Sequence, residues 1–166
     1  MVENIRLFKA SRQYKPIIKN LMQFYVYDFS RFVDLDVGAD GLFVGYKGLS
    51  DYWTDKNRFP YLIQKGDAYA GFALVRWIGS APYSHYSMAE FFVMQKYRRG
   101  GIGKKIATQL FDLHKGDWEV FQKERNVPAQ LFWRTIIDEY TNGDFTERLE
   151  DGKKIQRFKS PSSITH

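Results

Sequence analysis

Apolar and polar residues alternate over Ile5-Arg6-Leu7-Phe8-Lys9, the two-residue period of a half-buried strand, and Ser11 then stands where a helix cap is expected. Tyr14, Ile17, Ile18, Leu21 and Phe24 recur at three- and four-residue spacing, with Pro16 suited to a first turn, which predicts an amphipathic helix. From Asp28 to Asn57 no period holds: glycines at 38, 41, 45 and 48 alternate with aromatics, and the expectation is loops with room for a second short helix. Phe59 to Gln64, Tyr69 to Ile78 and Tyr86 to Met94 are rich in aromatic and branched residues, with turn-like Lys65-Gly66-Asp67 and Gly79-Ser80-Ala81-Pro82 between them, so three antiparallel strands are the simplest arrangement.

After Gly103 the period becomes helical. Ile102, Ile106, Leu110 and Leu113 share a face, Ala107 and Phe111 lie beside it, and Lys115-Gly116-Asp117 ends it. Trp118 to Phe121 reads as a short buried strand. Asn126-Val127-Pro128 caps and opens a last helix, with Ala129, Phe132, Trp133, Ile136, Ile137 and Tyr140 on its inner side and Asn142-Gly143 at its end. Asp151-Gly152 is a hairpin turn between Phe145 to Leu149 and Lys153 to Phe158. This order predicts an α/β (α+β) domain over residues 1–159, with a single mixed, mainly antiparallel central sheet flanked by helices, and a polar C-terminal tail over 160–166.

Composition narrows the partners. With 166 residues and no cysteine, the chain has the length of one ordinary domain and holds no disulfide, thiolate metal site or cysteine nucleophile. Its first residues lack a basic patch followed by an apolar run, and no apolar stretch reaches the roughly 18 residues of a membrane span. A soluble, cytoplasmic protein with no membrane partner is expected. The net charge of +6 and pI near 9.4 suit an anionic ligand, whether nucleotide cofactor, nucleic acid or acidic surface. The aromatics follow strand and helix periods, which favours a filled core over base stacking. No His/Asp/Glu cluster has metal-ligand spacing and no serine has a nucleophile-elbow context, so no metal is expected.

Candidate chemistry concentrates between Ala89 and Lys105, where a predicted strand meets a predicted helix through a loop with three glycines. The first N–H groups of a helix lack partners and the helix dipole adds partial positive charge, so a phosphate is accommodated there; glycine lets the backbone approach it. Lys104 and Lys105 fall in the first helical turn, where the dipole disfavours cations by about 0.3–1 kcal/mol unless an anion is bound. Neither the P-loop nor the dinucleotide-binding glycine pattern is present.

Arg98-x-x-Gly101-x-Gly103 resembles the Arg/Gln-x-x-Gly-x-Gly/Ala motif of the GNAT superfamily of N-acetyltransferases. Glu90-Phe91-Phe92-Val93 is similar to that family's fourth strand, Tyr97-Arg98 to its lead into the loop, Ile102, Ile106 and Ala107 to its helix, and Asn126-x-x-Ala129 with the following aromatics to its next helix. The resemblance implies a GNAT-like acyltransferase fold, acetyl-coenzyme A as cosubstrate, and direct acetyl transfer in a ternary complex to a primary amine of a small molecule or peptide. It implies that Arg98 and the backbone of Arg99, Gly100, Gly101, Ile102, Gly103 and Lys104 cradle the pyrophosphate, and that Phe92, Val93 and Met94 lie along the pantetheine. The fourth and fifth strands would splay, freeing backbone groups for the pantetheine amides and the thioester carbonyl. Asn126 bonds the cofactor or caps its helix. The family's usual tyrosine acid, seven residues after that asparagine, is here Trp133, whose indole donates a hydrogen bond but does not titrate; Trp133 becomes a cofactor contact and Tyr140 an alternative acid.

An amine acceptor with a pKa of about 10.4 must lose a proton before attack. Glu90 is the candidate general base, against the alternative that it faces away and pairs with a surface lysine; His85 is a secondary base candidate. His114, near a helix C-terminus, is placed where a cationic imidazole is favourable. Tyr25, Tyr27, Asp28, Tyr46, Tyr52 and Trp53 form either an aromatic wall for the acceptor or ordinary core. Two other functions stay open: an acyl-coenzyme A-sensing module without turnover and, more weakly, a basic nucleic-acid binder. Homodimer formation is also left open.

Overall fold

A computed structural model describes residues 4–80 and 82–161. Its strands are β1 (Ile5–Lys9), β2 (Arg58–Lys65), β3 (Ala68–Ile78), β4 (His85–Val93), β5 (Gly116–Lys123), β6 (Thr146–Glu150) and β7 (Lys153–Ser160), and its helices are α1 (Lys15–Phe29), α2 (Ile102–Leu113) and α3 (Val127–Thr141). All seven strands form one sheet in the order β1-β2-β3-β4-β5-β7-β6. Only β4 and β5 pair in parallel; the other neighbours are antiparallel. The mixed, mainly antiparallel sheet expected from the sequence is the one observed.

The two faces of the sheet carry different helices. Tyr61, Ile63, Ala73, Val75, Trp118, Val120 and Phe158 face α2 and α3, which contribute Ile102, Ile106, Leu110, Phe111, Trp133 and Ile137. Leu62, Phe72, Leu74 and Phe92 face α1 and the turn after it, which contribute Ile18, Leu21, Met22, Leu49 and Tyr52. The strand alternation read from the sequence is thus spent on two cores, one per face.

Several local expectations change. Ser11 precedes a 3-10 turn, Arg12–Tyr14, and its side chain makes no cap bond; α1 opens at Lys15 with Pro16 in its first turn. Phe24 is exposed, because the buried stripe of α1 runs through Ile18, Leu21 and Met22. The segment after α1 holds one 3-10 turn, Leu49–Trp53. Leu113 is exposed as well: Phe111 takes the sheet-facing position, edge-on to Trp118 and Phe158. Ser160 joins the sheet rather than the tail; it is buried, and its Oγ accepts the Gly116 N–H at 2.9 Å. Residues 162–166 lie outside the described residues. At Asp151 and Gly152 both φ angles are positive, 50° and 73°, as a two-residue hairpin requires.

Candidate active site

β4 and β5 pair at only two positions, Tyr86↔Trp118 and Ser87↔Glu119. Beyond Ser87, β4 stays paired with β3 as far as Val93, while β5 stays paired with β7 as far as Lys123. The two strands therefore diverge, and backbone groups on the β5 side of β4 have no ladder to join; such groups demand hydrogen-bond partners. A cleft of about 700 Å³ opens there. Its walls are Phe91, Phe92 and Val93 of β4, Gly101, Gly103 and Lys104 at the start of α2, and Ala129, Phe132 and Trp133 of α3.

The loop at the head of the cleft has the backbone of an anion site. Arg99 and Gly101 are both left-handed, with φ of 68° and 83°, which curls the chain so that successive N–H groups point into a concavity. The first intrahelical bond of α2 runs from Lys105 N–H to Gly101 O, so the preceding amides of the helix remain available at its positive end. Gly103 also has a packing role: a Cβ there would come within 2.8 Å of the tip of the Phe132 ring, which would have to shift. Its role is to let α3 pack against the first turn of α2.

Two cations of the loop, Arg98 and Lys104, already have partners. Arg98 donates from Nε to Val93 O at 2.7 Å and from Nη2 to Asp28 Oδ2 at 2.8 Å, tying the loop both to the end of β4 and to α1. Lys104 pairs with Glu139 of α3, which answers the dipole penalty expected for a lysine in that turn. Of the residues singled out for the cofactor, Phe92, Val93, Arg98, Arg99, Gly101, Gly103, Lys104, Asn126 and Trp133 line the cleft. Met94 packs on the α1 side, Ile102 is buried in the core, and Gly100 is exposed and absent from the walls. Asn126 caps α3, its Oδ1 accepting the Ala129 N–H at 3.2 Å. Tyr140 is not a cleft residue: its hydroxyl donates to Asp112 Oδ1 at 2.7 Å, and burial with that carboxylate raises its pKa. The cleft also takes in Phe29, Arg31 and Phe32 around the end of α1, which no motif marked.

Glu90 lies on the α1 face. The register passes from Leu74↔Glu90 to Val75↔Met88, leaving Ala89 as a bulge that turns Glu90 toward Tyr25 rather than toward α2 and α3. The Tyr25 hydroxyl donates to Glu90 Oε1 at 3.4 Å, and Oε2 is buried without a partner. Burial pushes the Glu90 carboxyl up to about 7, outweighing the lowering by the Tyr25 bond. Tyr25, Tyr46 and Tyr52 are all held above the ordinary tyrosine range, first by burial; the Glu90 charge adds to this in each. These three belong to one cluster around the carboxylate. Tyr27 is exposed, and Trp53 is structural, donating from Nε1 to Ala10 O at 2.8 Å.

The histidines separate. His85 Nε2 stands 3.6 Å from Glu119 Oε1, and its Nδ1 is buried without a partner. His114 is not the cation expected at a helix end: it is buried against Phe59, Tyr61 and Tyr86, shares a 2.7 Å hydrogen bond with Tyr61, and burial followed by Lys9 lowers its pKa to about 4.

Glu90 and His114 have opposite effects on stability. Between pH 4 and 6.5 an unfolded histidine binds more protons than His114 does, so its contribution rises with pH. An unfolded glutamate loses its proton near 4.5 and Glu90 near 7, so its contribution falls over that interval. From pH 4.5 to 6.5 the two slopes oppose. Thermal unfolding should accordingly show Glu90→Gln gaining stability relative to the native protein as pH rises from 4.5 to 7, and His114→Gln losing the stabilisation that pH 6.5 gives over pH 4. Parallel curves for all three would refute both assignments.

The sequence model of the Acetyltransferase (GNAT) family matches residues 22–136, which takes in the second half of α1, the strands β2 to β5, the glycine loop, α2 and most of α3. The chain belongs to the GNAT family of acetyltransferases. Members of the GNAT family use acetyl-coenzyme A as cosubstrate. A comparison with curated proteins by sequence finds no match. Solved structures share the fold at low identity. An acetyltransferase from Thermus thermophilus superposes with a TM-score of 0.68 at 12% identity, over 95% of this chain and 98% of its own. A GNAT-family acetyltransferase from Streptococcus agalactiae 2603 gives 0.66 at 13%, over 97% and 98%. An aminoglycoside acetyltransferase from an uncultured soil metagenomic sample, solved with sisomicin, gives 0.62 at 12%, over 82% and 90%. Among the described residues of this GNAT protein, no group of acidic and histidine side chains is arranged to hold a metal, and no helix is long and apolar enough to cross a membrane.

The donor set of the cleft fits the family's cosubstrate. The curled loop with its amides suits a pyrophosphate, the free edge of β4 suits the two amides of pantetheine, and apolar Phe91, Val93 and Phe132 suit its methylenes.

Proposed function

We propose that this GNAT acetyltransferase transfers the acetyl group of acetyl-coenzyme A to a primary amine by direct attack in a ternary complex, with Glu90 as general base. The observation that carries the reading is the placement of Glu90, half-buried on the α1 face of the splayed strand, with a pKa of about 7 and one oxygen free to accept a proton. Such a carboxylate is ionised often enough at neutral pH, and basic enough, to take a proton from an ammonium held against it.

The cosubstrate supplies an acyl carbon activated as a thioester. The amides from Arg99 to Lys104 hold its pyrophosphate, and Phe92 and Val93 guide the pantetheine along the open edge of β4. An N–H of that edge aimed at the carbonyl oxygen stabilises the charge that develops as the amine attacks. Glu90 takes the proton from the amine. A thiol is more acidic than an ammonium, cysteine's pKa lying at about 8.5 against about 10.4 for lysine, so the thiolate departs without a dedicated acid and Trp133 serves to pack the cleft, edge-on to Phe91, rather than to donate a proton. The same tryptophan is the one observation favouring an acyl-coenzyme A sensor without turnover.

A thiol-release screen over small amines, amino acids and peptides separates these readings. Release with some acceptor supports transfer; acetyl-coenzyme A-induced thermal stabilisation with no release from any acceptor supports the sensor. Gly101 tests the cofactor site. Because its φ is 83°, Gly101→Asn, which tolerates that conformation, is the control for Gly101→Asp, which adds a negative charge where the phosphates sit. The Asn variant should keep most of the rise in melting temperature given by acetyl-coenzyme A, and the Asp variant should lose it; an undiminished rise in the Asp variant would remove the loop from the site.

A further inference from the structure

We propose that the acceptor carries an oxyanion, a carboxylate or a phosphate, beside its reactive amine, and that Arg76 binds that oxyanion. The inference rests on the amine-acceptor reading above and names the class of amine.

Across the α1 face a row of polar residues crosses five strands in register: Arg58↔Arg76, Arg76↔Ser87, Ser87↔Glu119 and Glu119↔Arg157. Residues paired in this way share a face and stand side by side. Every charged member but one is answered from within the protein. Arg58 pairs with Asp55 at 3.1 Å. Glu119 accepts the Tyr83 hydroxyl at 2.6 Å and Arg148 Nη1 at 3.1 Å, and Arg157 lies 3.4 Å from Glu119 and over the Tyr83 ring. Arg76 is the exception: its buried Nε has no hydrogen bond, and among the described residues no carboxylate pairs with it. It also stands opposite another arginine, an unfavourable arrangement of like charges in a sheet, and the Asp55 carboxylate that feels both guanidiniums bonds Arg58 alone.

The unanswered atoms of the molecule gather here. Three buried side-chain polar atoms, Arg76 Nε, His85 Nδ1 and Glu90 Oε2, lack partners among the described residues, and a fourth, Tyr52 Oη, meets only the Tyr46 hydroxyl in a long contact. Arg76 and His85 alternate with the residues that face α2 and α3, the bulge at Ala89 brings Glu90 to the same side, and Tyr52 packs on that side from the turn after α1. The hydroxyls of Tyr46 and Tyr52 are influenced by the charges of both Glu90 and Arg76, so both groups lie within electrostatic reach of the pair. Buried polar atoms left unpaired are uncommon and costly in a folded protein. The complement of this set is an ammonium against Glu90 and an oxyanion against the Arg76 guanidinium and the Tyr52 hydroxyl, joined in one small molecule. An amine without an oxyanion would satisfy the first group and leave the second unmet; discrimination by such unmet buried groups is strong.

Two matched pairs of amines probe this: β-alanine with β-alaninamide, and O-phosphoethanolamine with ethanolamine. Each is titrated calorimetrically into the protein saturated with coenzyme A, and each is assayed for thiol release with acetyl-coenzyme A. The native protein should bind at least one oxyanion-bearing amine about tenfold or more better than its counterpart without the oxyanion, the worth of one charge-assisted hydrogen bond; the pair that shows it tells carboxylate from phosphate. Arg76→Gln should erase the preference, and Arg76→Lys, which keeps the charge without the planar fork, should restore part of it, with the melting temperature confirming that both variants fold. Equal or absent binding within both pairs, or a preference that survives Arg76→Gln, overturns the proposal. A preference that depends on Arg76 with no thiol release from any amine would support the Arg76 site while refuting acetyl transfer to amines, so the two readings fail separately.

Discussion

Glu90→Gln should lower kcat for thiol release by about 100-fold or more while leaving the acetyl-coenzyme A-induced rise in melting temperature intact. The size follows from general-base catalysis, which contributes on the order of 10²–10⁴, and the split between rate and binding follows from geometry. Glu90 faces α1 and Tyr25, whereas the phosphate loop lies beyond the end of β4, so the amide preserves the Tyr25 contact and the cofactor cleft and removes only the proton acceptor. The pH profile gives a second readout. A base must be deprotonated to act, so kcat of the native protein should rise with pH through an apparent pKa near 7, the value to which burial brings Glu90, and level off above it. The variant should show no such step. Native kcat in the glutamine variant, or a step near 7 that persists in it, would transfer the role elsewhere, with His85 the next group to test.

How far this site could be read from sequence depends on which physical signal each part leaves. The glycines between Arg98 and Lys104 marked a turn at a helix start because that signal is local, and Gly101 is left-handed there. The helices and β1 were legible from period, β2 to β5 from runs of aromatic and branched residues, and β6 and β7 from the hairpin turn at Asp151-Gly152. Glu90 was only half legible. Strict alternation from Met88, which faces α2 and α3, would put Glu90 on that same face; the bulge at Ala89 reverses it, and a bulge leaves no mark in a period of two. Phe24 and Leu113 were misplaced for a related reason, since spacing fixes a helical stripe only to within a residue and the neighbouring Met22 and Phe111 filled the core instead.

Contacts between distant segments left no trace in the sequence. The Asp28–Arg98 pair joins residues 70 apart, and Lys104 meets Glu139 only because α2 and α3 pack closely at Gly103. The charged row across β2, β3, β4, β5 and β7 depends on register, which is set by pairing rather than by any one strand's composition. That dependence explains why Arg76 attracted no notice in the sequence: in β3 it is one cation among apolar residues, and its isolation appears only when the partners of Arg58, Glu119 and Arg157 are known.

Register also makes Gly71 the most tightly confined of the described glycines. It pairs with Val93 between β3 and β4, and a Cβ built on it would lie 2.0 Å from Phe92 O, with the Phe92 carbonyl carbon and Val93 Cα next nearest. All three are backbone atoms, so no side chain can rotate away, and the strands must separate by more than an ångström. Gly71→Ala should therefore cost about 3 kcal/mol, at the upper end of ordinary overpacking, which for a chain of this size lowers the melting temperature by about 6–12 °C. Gly45→Ala, where nothing lies within 4 Å, is the control and should stay within about 0.5 kcal/mol. The strain falls on the segment whose opposite edge borders the cleft and whose Val93 carbonyl accepts from Arg98 Nε. The Gly71 variant should thus also lose most of its thermal response to acetyl-coenzyme A, linking a buried glycine on β3 to cofactor binding through the backbone of β4. A variant that melts like the native protein would mean that β3 and β4 are not packed this closely at Phe92, and one that melts early yet responds fully to acetyl-coenzyme A would detach the end of β4 from the cofactor site.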